Sequence, residues 1–200
     1  MTVTLEQCAE LLRDADRILI LSHQYPDGDT LGSASGLCRA LQKMGKRARC
    51  ECADEIGPRY RYLYSGVEPD QFDPAFIMSV DVADSKLLGR LESAYAGKIR
   101  LAIDHHGSHV PFAEYEYVDS TAAAACEIIP ALLGLLGVEI DSQIANSLYT
   151  GITTDTGCFR YPNATPATYR TAEDLMEKGA DAAEINRVMF DTKSRTAIAL

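Results

Sequence analysis

The stretch Ile18–Gly32, Ile-Leu-Ile-Leu-Ser-His-Gln-Tyr-Pro-Asp-Gly-Asp-Thr-Leu-Gly, opens as an unbroken apolar run and empties into His23, Asp27 and Asp29, with Gly28 between the two acids. A short, wholly apolar run of this kind reads as a strand buried on both faces, the habit of parallel sheets covered by helices. Two later runs end in the same way. Phe76–Val80 leads into Asp81, and Ile99–Ile103 into Asp104, His105 and His106. In open parallel sheets ligands bind beyond the carboxyl ends of the strands. Three strands that deliver acids and imidazoles to one edge therefore predict a site there, on an α/β fold with a parallel β-sheet and helices on both faces.

Outward from that core, Leu5–Asp16 carries apolar residues at helical spacing, with Thr4 as N-cap and Gln7 as its capping-box partner. The first strand is expected over Arg17–Leu21, followed by a loop over His23–Asp29. A helix from about Thr30 to Met44, closed by Gly45, then leads to a second strand within Arg47–Ala53. An irregular stretch with Gly57, Pro58, Gly66 and Pro69 separates this unit from the strand that ends at Asp81. Further helices are expected at about Ser85–Tyr95, over Ser120–Gly137 despite Pro130, and over Ser142–Thr150. The last leads into a loop at Gly151–Gly157, and two more helices follow near Thr165–Lys178 and Ala182–Phe190. Residues 1–190 thus read as one domain, and Asp191–Leu200 as the start of a helix leading to another.

Two hundred residues with 46% hydrophobic content suffice for one sizeable core. No apolar run approaches the roughly 20 residues of a membrane helix, and Met1–Asp16 lacks the basic start and small-residue cleavage site of a signal peptide. A cytoplasmic protein is expected. The six cysteines show no C-x-x-C pair; Cys50 and Cys52 share one face of a strand, and buried thiols account for them better than zinc or disulfides. A net charge of −10 argues against sequence-independent adhesion to duplex nucleic acid. It leaves room for a nucleotide substrate, because cations held by the carboxylates can receive a phosphate.

All four histidines fall into two motifs, His23 in one and His105, His106 and His109 in the other. Carboxylates with a few imidazoles suit a hard or borderline divalent ion such as Mn²⁺, Mg²⁺ or Co²⁺. Asp27 and Asp29 would present one carboxylate to each of two metals, and Asp81 would bridge them. Two such ions roughly 3.5–4 Å apart hold a shared hydroxide and clamp a phosphoryl oxygen.

His23-x-x-x-Asp27-x-Asp29, then Asp81, then Asp104-His105-His106, then Asp155 resemble, in order, the four motifs of the DHH phosphoesterase superfamily. RecJ-type exonucleases, family II pyrophosphatases and nanoRNase/pAp phosphatases belong to it. Pro26–Ser33, Val118–Ala124 and Gly151–Tyr161 look like the last of these branches. The resemblance implies that His23, Asp27 and Asp81 hold one metal, and Asp29, Asp81, His105 and Asp155 the other, with Mn²⁺ favoured. It implies catalytic roles for Asp81, Asp104 and His106: Asp104 would orient the His105 ring, and His106 would face the substrate phosphate. Arg160 is either a second phosphate contact or a solvated surface residue.

The implied activity is metal-dependent hydrolysis of short single-stranded oligoribonucleotides, down to dinucleotides, and of 3′-phosphoadenosine 5′-phosphate, by attack of a hydroxide held between two metals. Cyclic or linear dinucleotides are alternative substrates, and a module that binds nucleotides without hydrolysing them is the alternative of a different class. Relatives usually carry a second domain, DHHA1, with a glycine-rich histidine motif; no Gly-Gly-Gly-His segment occurs here, and His109 stands where many relatives have Asn. The Ala/Leu-rich Thr121–Gly137 stretch would serve either a homodimer or ordinary core packing.

Overall fold

The computed structural model describes residues 1–191. Strands β1 (Ile18–Ser22), β2 (Ala48–Cys52), β3 (Phe76–Val80), β4 (Leu101–Asp104) and β5 (Tyr115–Val118) form one sheet in the order β2-β1-β3-β4-β5, with every neighbouring pair parallel. All residues of β1 and β3 are buried, as befits interior strands covered on both faces. The chain leaves β1 toward β2 on one side and returns to β3 on the other. That reversal puts a topological switch point between the carboxyl ends of β1 and β3, where such sheets open a crevice.

Helices cover both faces, unequally. Helices α1 (Leu5–Asp14), α2 (Gly28–Lys43), α4 (Ala125–Leu136) and α5 (Ser142–Asp155) share the larger core with Ile18, Ile20, Met78, Leu101 and Ile103. On the opposite face Leu19, Leu21 and Ile77 meet a thinner cover built from the 3₁₀ turns of Ser85–Leu91 and α3 (Glu92–Tyr95). Helix α5 packs on α2 and α4, and α6 (Pro166–Glu177) and α7 (Ala182–Asn186) pack on α5. The capping box at α1 is reciprocal: Thr4 accepts from the Gln7 amide and Gln7 from the Thr4 amide. The apolar side chains Ile128, Ile129, Leu132 and Leu133 of α4 are buried within the chain's own core. No helix among the described residues is long and apolar enough to cross a membrane.

Several boundaries depart from the sequence reading, each for a local reason. Arg17 is left-handed, with φ of 50°, so extended chain begins one residue later and β1 runs on to Ser22. Helix α2 starts at Gly28 because the Asp27 carboxylate caps it, accepting the amides of Asp29 and Thr30. Residues before Ala125 do not join α4, since the Asp119 carboxylate draws Thr121 into a local turn instead. Strand β5 was not expected at all. It lies at the sheet edge, only Glu116 in it is buried, and its free side is partly covered where Val3 and Met1 hydrogen-bond the Glu116 backbone. Of the expected helix over Asp191–Leu200, residues 192–200 lie outside the described residues.

Candidate metal centre

Five elements bring the site together at the switch point. His23 directly follows β1, and its amide donates to Thr30 Oγ1 while the Thr30 hydroxyl donates to the Val80 carbonyl, which ties the ends of β1 and β3 together. Asp27 sits at the N-terminus of α2, where the helix dipole favours an anion. Asp29 lies inside the first turn of that helix, not in a loop as expected, and is wholly buried. Its two oxygens accept the amides of Ala125 (2.6 Å) and Cys126 (2.8 Å), so it also caps the first turn of α4. Asp81 follows β3 in the left-handed region, with φ of 57°, a conformation Asp tolerates better than most residues.

Asp155 also differs from expectation. Gly151–Gly157 reads as a loop, but α5 continues through Gly151 to Asp155. Gly151 is there for closeness, not for bending. A Cβ at that position would run into Cys126 Sγ and stand 2.7 Å from Asp29 Oδ1. The last helical turn can therefore reach the buried end of α2 and place its terminal carboxylate beside Asp29.

Distances among the side chains fall into overlapping groups. His23 Nε2 lies 3.7 Å from Asp27 Oδ1 and 3.5 Å from Asp81 Oδ2. His105 Nε2 lies 3.4 Å from Asp81 Oδ1, 3.4 Å from Asp155 Oδ2 and 3.6 Å from Asp29 Oδ2. Asp81 thus touches both histidines with different oxygens, and His106 Nδ1 stands 3.6 Å from one of them. Three sets, His23–Asp27–Asp81, Asp29–His105–Asp155 and Asp81–His105–His106, each have ligand atoms close enough to hold one metal ion.

Asp81 Oδ1 and His105 Nε2 are buried and make no hydrogen bond, although they face each other. Unpaired buried polar groups are costly, and here two of them aim into a gathering of carboxylates. Among the described residues no lysine or arginine pairs with these acids; their ion-pair partners are histidines. Burial, with the charges of Asp81 and Asp155, raises the Asp29 carboxyl well above the ordinary carboxylate range. Burial and then the charges of Asp81 and Asp27 lift Asp155 to about 7. Burial alone would lower the imidazoles, but Asp81 and its neighbours outweigh it, holding His105 at about 10, and Asp27 and Asp81 hold His23 at about 11. Protons accumulate because positive charge is otherwise lacking. Oxygen-rich ligands with two imidazoles fit a hard or borderline divalent cation, which would take the protons' place.

Asp104 ends β4, and its surroundings correct one expectation. Its carboxylate does not reach the His105 ring, whose Nδ1 faces the Ala122 carbonyl at 3.3 Å. Asp104 Oδ1 instead meets His106 Nδ1 at 2.8 Å and accepts the His105 amide, and Oδ2 meets His109 Nδ1 at 2.6 Å. His105 thus turns its Nε2 to Asp81, while His106 rests its Nδ1 on Asp104. His106 is half-exposed, and its Nε2 makes no hydrogen bond among the described residues. Arg160 is not drawn into the cluster. Its Nε donates to the Gly157 carbonyl, and its guanidinium lies 5.8 Å from the Phe190 ring centre.

Thr30 and Glu116 were missed. Thr30 follows Asp29 directly, and a buried hydroxyl between two strand ends is a role the sequence does not announce. Glu116 alternates with Tyr115 and Tyr117, a short period-two pattern that could have marked both β5 and an inward-facing acid.

A family model described as DHH family, N-terminal domain, matches residues 17–152. The chain is 37% identical over 193 residues to the bifunctional oligoribonuclease and PAP phosphatase NrnA of Thermus thermophilus, a match covering 91% of this chain and 57% of that protein. It is 28% identical over 184 residues to the protein of the same name from Bacillus subtilis, covering 89% and 58%. The chain thus spans under three-fifths of the length of these curated relatives. Among solved structures, an exopolyphosphatase-related protein from Bacteroides fragilis superposes with a TM-score of 0.88 at 23% identity, over 98% of this chain and 62% of that one, a likeness of fold.

Proposed function

Because this chain belongs to the DHH family, we propose that it carries the metal-binding domain of a phosphoesterase acting on short single-stranded oligoribonucleotides, down to dinucleotides, and on 3′-phosphoadenosine 5′-phosphate. The names of its Thermus and Bacillus relatives supply the substrate class. The observation that carries the reading is the buried pair Asp81 Oδ1 and His105 Nε2, unpartnered and turned toward the carboxylates of Asp29 and Asp155. His23, Asp27 and Asp81 would hold one divalent cation, and Asp29, Asp81, His105 and Asp155 a second. Mn²⁺ is the ion the family resemblance favours, and Mg²⁺ and Co²⁺ suit the same ligand types. Bound there, such ions supply positive charge for phosphoryl oxygens and acidify a water enough to act as nucleophile near neutral pH.

The chain's own residues set the stage for that chemistry. Asp81, directly after β3 and near both His23 and His105, would be shared between the two ligand sets. His106, with Nδ1 engaged by Asp104, keeps Nε2 for the substrate phosphate. Arg160, tethered through Nε to Gly157, would use its terminal nitrogens as a further phosphate contact from outside the cluster. A cytoplasmic enzyme is consistent with this substrate class. The test is release of mononucleotide from a diribonucleotide with added Mn²⁺. Asp81→Ala and His106→Ala should each lower turnover by about 100-fold or more; wild-type turnover in either variant would overturn the proposal.

A further inference from the structure

Behind His106 and Asp104 lie two buried groups, His109 and Glu116, that the proposed reaction does not use. Glu116 Oε1 accepts the amides of Phe112 (2.7 Å) and Ala113 (2.6 Å), which fixes that carboxylate on β5. Its Oε2 stands 2.7 Å from His109 Nε2, and His109 Nδ1 stands 2.6 Å from Asp104 Oδ2. Asp104 Oδ1 in turn meets His106 Nδ1 at 2.8 Å. The Glu116, His109 and Asp104 side chains are each 5% exposed or less, so water does not compete for these contacts.

The donor and acceptor inventory decides what these contacts do. A neutral imidazole has one N–H and one lone pair, and carboxylates only accept. His109 lies between two carboxylates, one at each ring nitrogen, so both contacts are hydrogen bonds only if both nitrogens carry protons. It is then a buried cation between two buried anions, a charge-assisted arrangement shorter and stronger than a neutral one. Asp104 has a partner on each oxygen and cannot turn. Its hold on His106 Nδ1 fixes the ring plane of a half-exposed side chain that otherwise has room to rotate.

We infer that Glu116 and His109 are positioning residues: through Asp104 they lock the His106 ring with its Nδ1 against Asp104 and its Nε2 toward the substrate. The inference rests on the reading above in that it takes His106 to be the group facing the phosphate. The test uses two readouts on the same chain. The first is steady-state hydrolysis of a diribonucleotide with Mn²⁺; the second is the side-chain rotamer population of His106, read from the NMR spectra of the histidine rings in metal-free protein.

His109→Leu should lower kcat about 10- to 100-fold with KM within about twofold, and His106 should change from a single ring rotamer to a mixture. His109→Asn, which returns a donor to Asp104, should recover most of both. Where His109→Leu fails to fold, the near-isosteric Glu116→Gln takes its place. It should leave His109 with one ring proton instead of two and lower kcat in the same sense. An unchanged His106 rotamer with wild-type kcat in these variants overturns the inference, as does equal loss in His109→Leu and His109→Asn with the His106 spectrum intact. Should the wild-type chain release no mononucleotide, the phosphoesterase reading fails, while the ring spectra still decide whether Glu116 and His109 hold His106.

Discussion

Asp81 combines a backbone demand with a charge demand. Its φ of 57° suits Asp and Asn, whereas most other L-residues bear a cost of roughly 1–2 kcal/mol there. Its carboxylate also lies buried among other acids that it repels, as the upward shifts of Asp29 and Asp155 record. Asn at this position satisfies the backbone and relieves the repulsion. It also gives up the charge that holds His23 and His105 protonated, so the clean comparison is between variants: in chelator Asp81→Ala should fall below Asp81→Asn by about 1 kcal/mol. Both should lose the stabilisation that Mn²⁺ gives the wild type, ~2.7 kcal/mol at a hundredfold excess over Kd. Retention of that gain in either variant would remove Asp81 from the proposed ligand set. His23, Asp81 and His105 were legible as candidate ligands because apolar runs lead into them, whereas Asp155 entered only through the family resemblance. The His109–Glu116 contact was not, since the two lie on different segments and meet only when β5 docks beside β4.

At the scale of elements, the site depends on how closely α2 and α5 approach. Gly28, Gly32 and Gly36 recur at four-residue spacing on α2, and a Cβ at Gly32 would run into the Ser147 carbonyl oxygen of α5. Small residues let helix axes come nearer than usual, and here that nearness puts Asp155 beside Asp29. Gly32→Ala should cost about 1–3 kcal/mol through overpacking and weaken Mn²⁺ binding in calorimetry, because α5 must shift with its carboxylate. Gly134→Ala is the contrast. It sits on the exposed side of α4 with nothing near its would-be Cβ, so Ala should add about 0.8–1 kcal/mol. Strands β1, β3 and β4 were readable as apolar runs, as were the helices with clear caps. The continuation of α5 through Gly151 was not, because one glycine serves equally well as a breaker or as a place for another helix to touch.

For the whole molecule the acid–imidazole cluster ties stability to pH. The folded values of His109 (about 9), His105 (about 10) and His23 (about 11) all lie above the ordinary histidine value. A raised folded value contributes stability that is complete below about pH 6.5 and lost as pH climbs through the folded value. Asp155, raised to about 7, acts in the same sense from the carboxylate range upward. Metal-free protein should accordingly show a lower urea midpoint at pH 9 than at pH 6.5. Saturating Mn²⁺ should reverse that slope, since cations bind the deprotonated ligands and release protons on binding. Calorimetry in buffers of different ionisation enthalpy measures that release directly, and a midpoint in chelator that does not fall between the two pH values contradicts the linkage.

The residues proposed as ligands span His23 to Asp155, and the strands between them pair in parallel, so no contiguous segment gathers a binding set before the sheet closes. Loop-closure entropy must be paid before contacts this remote in sequence are rewarded, and we expect these to form on the native side of the folding barrier. A cation that binds them should slow the rate of unfolding and leave the rate of refolding nearly unchanged. Stopped-flow traces with and without Mn²⁺ should differ in their unfolding arms alone.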